Sequence, residues 1–147
     1  MAEIADHPPF DVAVVTPDGP VFSGEAHMLI VPGAAGEIGV LARHAPLVAT
    51  LKAGSTRIYR DRASEDVIEL ATGPGFFKVE LDRALALVDD AVDVKEIDDA
   101  RAQTQLETAR AELEKVEAGE STADRWQLEE RIRHAENQLT VSGRTTG

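Results

Sequence analysis

Glycine and proline stop abruptly in this chain. All seven prolines and eight of the eleven glycines lie at or before Gly75, and neither residue occurs from Phe76 to Ala118. Proline fixes φ and lacks an amide donor, and glycine supplies the conformations that tight turns need, so their density marks a turn-rich β segment. Their disappearance marks a helical one. The 147 residues allow one compact domain with an appendage, and that boundary says where each begins.

In the first part FDVAVVT, PVFSGE, AHMLIVP, IGVL, PLVATL, TRIYRD, DVIELAT, FFKVEL and RALALV are short apolar or β-branched runs. PDG at 17–19, GAAG at 33–36, KAG at 52–54 and GPG at 73–75 separate many of them. Strands this short and this evenly spaced predict a sandwich or barrel rather than a parallel sheet with crossover helices, and we read a β-sandwich. RALALV is the run whose Ala and Leu content suits a helix almost as well.

From Asp93 the apolar period lengthens to about 3.6 residues. Leu106, Ala109, Leu113 and Val116 form one stripe, and Leu128, Ile132, Ala135 and Leu139 a second. Two amphipathic helices are expected, with Gly119 as a left-handed C-terminal cap and Ser121 with Asp124 as a capping pair for the second. The short linker makes them an antiparallel hairpin. The fold class is therefore α+β, with a β-sandwich over residues 1–90 and a helical hairpin over 91–147.

Charge and composition narrow the function. With 27 acidic against 15 basic residues the formal net charge is -12, which disfavours a nucleic-acid partner, whose phosphates require clustered Lys and Arg. The chain has no cysteine, hence no disulfide and no thiolate zinc site. MAEIADHPPF has neither the basic start nor the apolar run of a secretory leader, and no stretch reaches the roughly 20 apolar residues of a membrane helix. No direct membrane insertion is expected. His7, His27, His44 and His134 show no metal-ligand spacing, and GAAGEIG lacks the Lys-Ser/Thr of a phosphate loop. Asp89-Asp90 and Asp98-Asp99 are adjacent carboxylates of the kind an acidic protein keeps solvated. No metal site and no catalytic residue is expected.

One stretch does carry a specific pattern. VFSGEAHMLIVPGAAGEIGVLARHAPLVATLKAGSTRI, Val21 to Ile58, resembles the signature region of the epsilon subunit of the bacterial F-type ATP synthase, with its Phe-Ser-Gly strand, Gly-Glu-Ile-Gly turn and His-Ala-Pro-Leu before Leu-Lys-x-Gly. The resemblance continues through GPGFFKVELDRALALVDDAV and IDDARA into the hairpin. It departs at Ala42-Arg43, where many members place Pro-Gly, so a positive charge stands beside His44.

The resemblance implies a ten-stranded sandwich followed by two helices, in a non-catalytic rotor subunit that regulates ATP hydrolysis through those helices. The implied partners are the gamma subunit, the c-ring and the alpha and beta subunits, at the cytoplasmic face of the cell membrane. It also implies a c-ring contact at Glu37 and a stalk interface at the turn from Arg43 through His44 to Pro46. An inhibitory contact would involve Arg125, Arg131 and Arg133. No tightly bound cofactor is implied, but Ile97, Asp98, Arg101 and Ala102 match a regulatory ATP-binding motif. Two other classes are set beside this one: a free-standing β-sandwich binding module dimerised by its hairpin, and a small hydrolase with dispersed carboxylates.

Overall fold

The computed structural model describes residues 7–146, and the segment on which the leader was sought falls mostly outside them. The chain forms two compact units, one reaching to Asp93 and the other beginning at Val94.

The described residues of the first unit form ten strands: β1 Phe10–Thr16, β2 Gly19–Ala26, β3 Met28–Gly33, β4 Gly36–Val40, β5 Leu47–Leu51, β6 Gly54–Tyr59, β7 Val67–Thr72, β8 Gly75–Glu80, β9 Arg83–Val88 and β10 Ala91–Asp93. They hydrogen-bond in the order β10-β7-β6-β3-β5-β8-β9-β1-β2, with β4 off this path and paired with β3. The pairing is antiparallel except between β1 and β9, where Val12 lies opposite Ala84. The ambiguous RALALV is thus a strand, because β8 and β1 both offer it a ladder and tertiary pairing overrides Ala and Leu propensity. The three-residue β10, absent from the nine runs read in sequence, forms where Ala91 meets Thr72 of β7.

Inward side chains alternate along the strands and form one core from Phe10 through Val88, including Val14, Leu29, Val31, Leu51, Ile58, Leu70 and Phe77. The turns sit where the punctuation placed them. Thr16–Gly19, Gly33–Gly36, Leu51–Gly54 and Thr72–Gly75 each join consecutive strands. At Gly75 a Cβ would lie 1.9 Å from the Leu87 carbonyl, so only glycine lets β8 approach β9 there.

The second unit begins with a 3₁₀ turn, Val94–Glu96, followed by α1, Asp99–Glu117, and α2, Arg125–Thr146. The two helices pack on one another. Ala102, Leu106 and Ala109 of α1 and Leu128, Ala135 and Val141 of α2 are buried. Gly119, at φ 75°, ends α1: its N–H reaches the Val116 carbonyl at 3.1 Å and Glu120 N–H reaches Lys115 at 2.8 Å, which is the Schellman arrangement. The start of α2 differs from expectation. Asp124 alone caps it, accepting from Trp126 N–H at 2.9 Å, whereas Ser121 serves the linker by accepting from Ala123 N–H and donating to Glu112. A cap must directly precede the first helical residue, and that residue is Arg125. No described helix is long and apolar enough to cross a membrane.

Candidate interface surfaces

Glu37 is the second residue of β4, following Gly36 and the two-residue turn Ala34-Ala35. Its side chain is exposed, and its Oε2 accepts a hydrogen bond from Arg57 Nη2 of β6 at 2.8 Å. The register explains how a residue two strands away reaches it. Arg57 stands opposite Ile30 and Glu37 opposite Pro32, so all four side chains share one face and the ion pair runs diagonally across β3. Glu69, the carboxylate directly opposite Arg57, instead accepts from Ser55 Oγ.

The turn from Leu41 to Pro46 carries the other expected sandwich residues. Arg43 adopts φ 65°, the left-handed region that favours glycine. Its N–H donates to Asp82 Oδ1 at 2.5 Å, which ties this turn to the β8–β9 turn. His44 closes a backbone bond to the Leu41 carbonyl, and its Nδ1 donates to the Ala45 carbonyl at 2.7 Å. Arg43, Ala45 and Pro46 are exposed and His44 is half-buried.

A broader surface has no counterpart among the expected site residues. Thr50, Phe76, Leu87 and Val15 stand opposite one another across β5, β8, β9 and β1, and Val48, Lys78, Leu85 and Ala13 form the next row on the same outer face. Phe76 is 62% exposed, Val48 72% and Leu87 48%. Large apolar side chains grouped on one face of a folded domain mark a contact surface. The signal was in the sequence: Phe76 and Phe77 are adjacent on a strand, so one of them must face outward, and RALALV is apolar on both sides.

In the second unit, Asp98 is the N-cap of α1, its Oδ1 accepting from Arg101 N–H at 3.1 Å. The Arg101 side chain is exposed, Ile97 is half-buried and Ala102 is buried. The motif thus presents a carboxylate and a guanidinium at one helix start, with one carboxylate oxygen already engaged by the cap. The three arginines of α2 divide into two kinds. Arg125 pairs with Glu129 at 3.0 Å and with Glu117 of α1 at 3.2 Å. The Glu129 hydrogen bond, then the charge of Glu117, raises its pKa above the ordinary value. Arg131 and Arg133 are exposed and have no ion pair among the described residues. Arg110 of α1 and Glu136 of α2 tie the helices together at 3.1 Å.

Residues 9–94 match the family model of the ATP synthase delta/epsilon chain β-sandwich domain. The chain belongs to the ATP synthase epsilon family. Over 112 residues it is 41% identical to the ATP synthase epsilon chain of Laribacter hongkongensis, covering 76% of this chain and 79% of that one. It is 36% identical over 137 residues to the ATP synthase epsilon chain of Halalkalibacterium halodurans, covering 93% of this chain and 99% of the relative. The fold is also that of a chain in the Euglena gracilis mitochondrial ATP synthase, with a TM-score of 0.67 at 22% identity over 92% of this chain and 82% of that chain. For a member of the epsilon family, the departure at Ala42-Arg43 now has a structural meaning. Arginine occupies the left-handed position where the Pro-Gly pattern would put glycine.

Proposed function

We propose that this chain is a non-catalytic central-stalk subunit of a proton-translocating F-type ATP synthase, coupling the catalytic head to the membrane c-ring. The observation that carries the reading is the outer face of β5, β8, β9 and β1, where Val48, Phe76 and Leu87 stand exposed on a sandwich that already has a complete core. Such a face fits a permanent protein partner, since obligate interfaces bury apolar area much as a core does. That partner is the gamma subunit.

The polar tip at Glu37 then meets the c-ring, and the turn from Arg43 to Pro46 lies at the stalk interface. A proline in that turn limits backbone freedom, and pre-ordering lowers the entropy lost on association, which suits a joint that transmits torque. The helical hairpin regulates ATP hydrolysis, its arginines facing an acidic surface of the catalytic subunits, and ATP binds at Asp98 and Arg101 as a regulatory ligand. The chain acts at the cytoplasmic face of the cell membrane, held there by the complex.

The test is subunit exchange. Membranes carrying the cognate synthase are stripped of this chain and reconstituted with it, and proton-driven ATP synthesis is measured. Restored coupling is expected, and synthesis that proceeds equally well without the chain contradicts the coupling role.

A further inference from the structure

Glu37 sits on a strand supported along one edge. Among the described residues β4 pairs only with β3, and it carries Gly36, at φ 141°, and Gly39 on either side of Glu37. A carboxylate there has little around it to hold its rotamer, and a long exposed side chain loses that freedom when a partner binds. Arg57 removes the problem. It belongs to β6, which is paired on both edges, by β3 and β7, and its side chain is more buried than that of Glu37, 33% against 62% exposed.

The contact is monodentate: Nη2 engages Oε2, while Oε1 has no hydrogen-bond partner among the described residues. One oxygen is thus pinned and the other is aimed. The guanidinium is held in place although its Nε is buried without a hydrogen-bond partner among the described residues, an arrangement that stability alone disfavours. It also passes over the directly opposed Glu69, which takes the Ser55 hydroxyl.

We infer that Arg57 is a positioning residue for Glu37, fixing the carboxylate so that Oε1 receives a cationic or N–H donor from a polar loop of the rotor ring. The inference rests on the reading of Glu37 as a ring contact. Arg57 itself need not touch the partner, because its effect passes through the rotamer of Glu37.

The test measures binding of the full-length chain to a complex of the cognate gamma subunit and c-ring, with Glu37→Gln, Arg57→Gln, Arg57→Lys and the Glu37→Gln/Arg57→Gln double variant, while thermal unfolding of each is recorded. Arg57→Gln is expected to weaken binding about fivefold, the scale of one well-placed surface ion pair. Arg57→Lys recovers part of that loss. The double variant binds no worse than the weaker single variant, since a residue acting through Glu37 has nothing to position once the carboxylate is gone. A purely structural role predicts losses that multiply and follow the unfolding temperature, and that result overturns the inference. So does unchanged binding by Arg57→Gln while Glu37→Gln weakens it, which leaves Glu37 as a contact without a positioner. Unchanged binding by Glu37→Gln removes the ring contact and the inference together.

Discussion

Arg43 N–H donates to the Asp82 carboxylate at 2.5 Å, and both residues lie at positive φ, 65° and 57°. This bond joins two turns 39 positions apart in sequence. Leu81, at φ 51° and 88% exposed, completes the β8–β9 turn, whose two central residues meet the type I′ requirement, Asp82 with a side chain that tolerates it and Leu81 with one poorly suited to it. A left-handed non-glycine residue costs about 1–2 kcal/mol.

Arg43→Gly is therefore expected to stabilise the chain, by about 0.5–1 kcal/mol once the extra unfolded-state freedom of glycine is subtracted. Asp82→Ala is expected to destabilise it by about 1–2 kcal/mol, because it removes the acceptor and leaves the left-handed strain. Urea unfolding of the full chain measures both. A destabilised Arg43→Gly variant contradicts the strain at this position.

The sandwich should fold alone. Its core is drawn entirely from residues up to Ala91, whereas a two-helix hairpin offers little interior and short helices are marginal in water. A chain ending at Asp93 is expected to keep a β-type circular dichroism spectrum and a cooperative unfolding transition. Loss of both shows that the helices are needed to complete the fold.

How much of this was legible depends on the kind of signal. Turn positions were readable because Gly and Pro act locally, and the helix stripes because their period is local too. Arg57–Glu37 was not, since the residues are 20 positions apart and meet only through the register of β3 with its neighbours. The outer face escaped for a different reason. Alternation separates inside from outside only when one face is polar, and RALALV is apolar on both. Among the expected site residues, Glu37, Arg43 and Pro46 proved exposed, whereas Ala102 is buried and Arg125 is already paired within the hairpin.

ATP binding at the start of α1 is testable by titration calorimetry of the isolated protein. Arg101→Ala removes the phosphate-pairing fork without touching the cap, and is expected to abolish binding. Asp98→Asn keeps a good N-cap, so its effect on ATP is separable from helix stability, which Asp98→Ala lowers by about 1 kcal/mol. No binding at millimolar ATP, or equal binding by Arg101→Ala, leaves Asp98 as a helix cap alone.

Inhibition by the hairpin is expected to be weak. Residues 94–147 hold eight basic and twelve acidic side chains, a net charge of 8 - 12 = -4, so attraction to an acidic loop depends on local arginines. Arg131→Ala and Arg133→Ala are expected to raise ATP hydrolysis by the complex, since these side chains have no ion pair among the described residues to give up. Arg125→Ala is expected to act more through the hairpin itself, because its exposed pairs with Glu129 and with Glu117 of α1 would be lost. Equal hydrolysis rates with the full-length chain and with one ending at Asp93 remove the inhibitory role.

The central claim is that the apolar outer face of the sandwich docks on gamma, and light scattering of the full-length chain mixed with the cognate gamma subunit tests it directly. A one-to-one complex is expected, weakened at least tenfold by Phe76→Asp, as for a residue at an interface centre, while the unfolding temperature of the free chain stays within a few degrees. A chain that forms only its own dimer and ignores gamma, or a Phe76→Asp variant that binds gamma as well as the parent, contradicts the account.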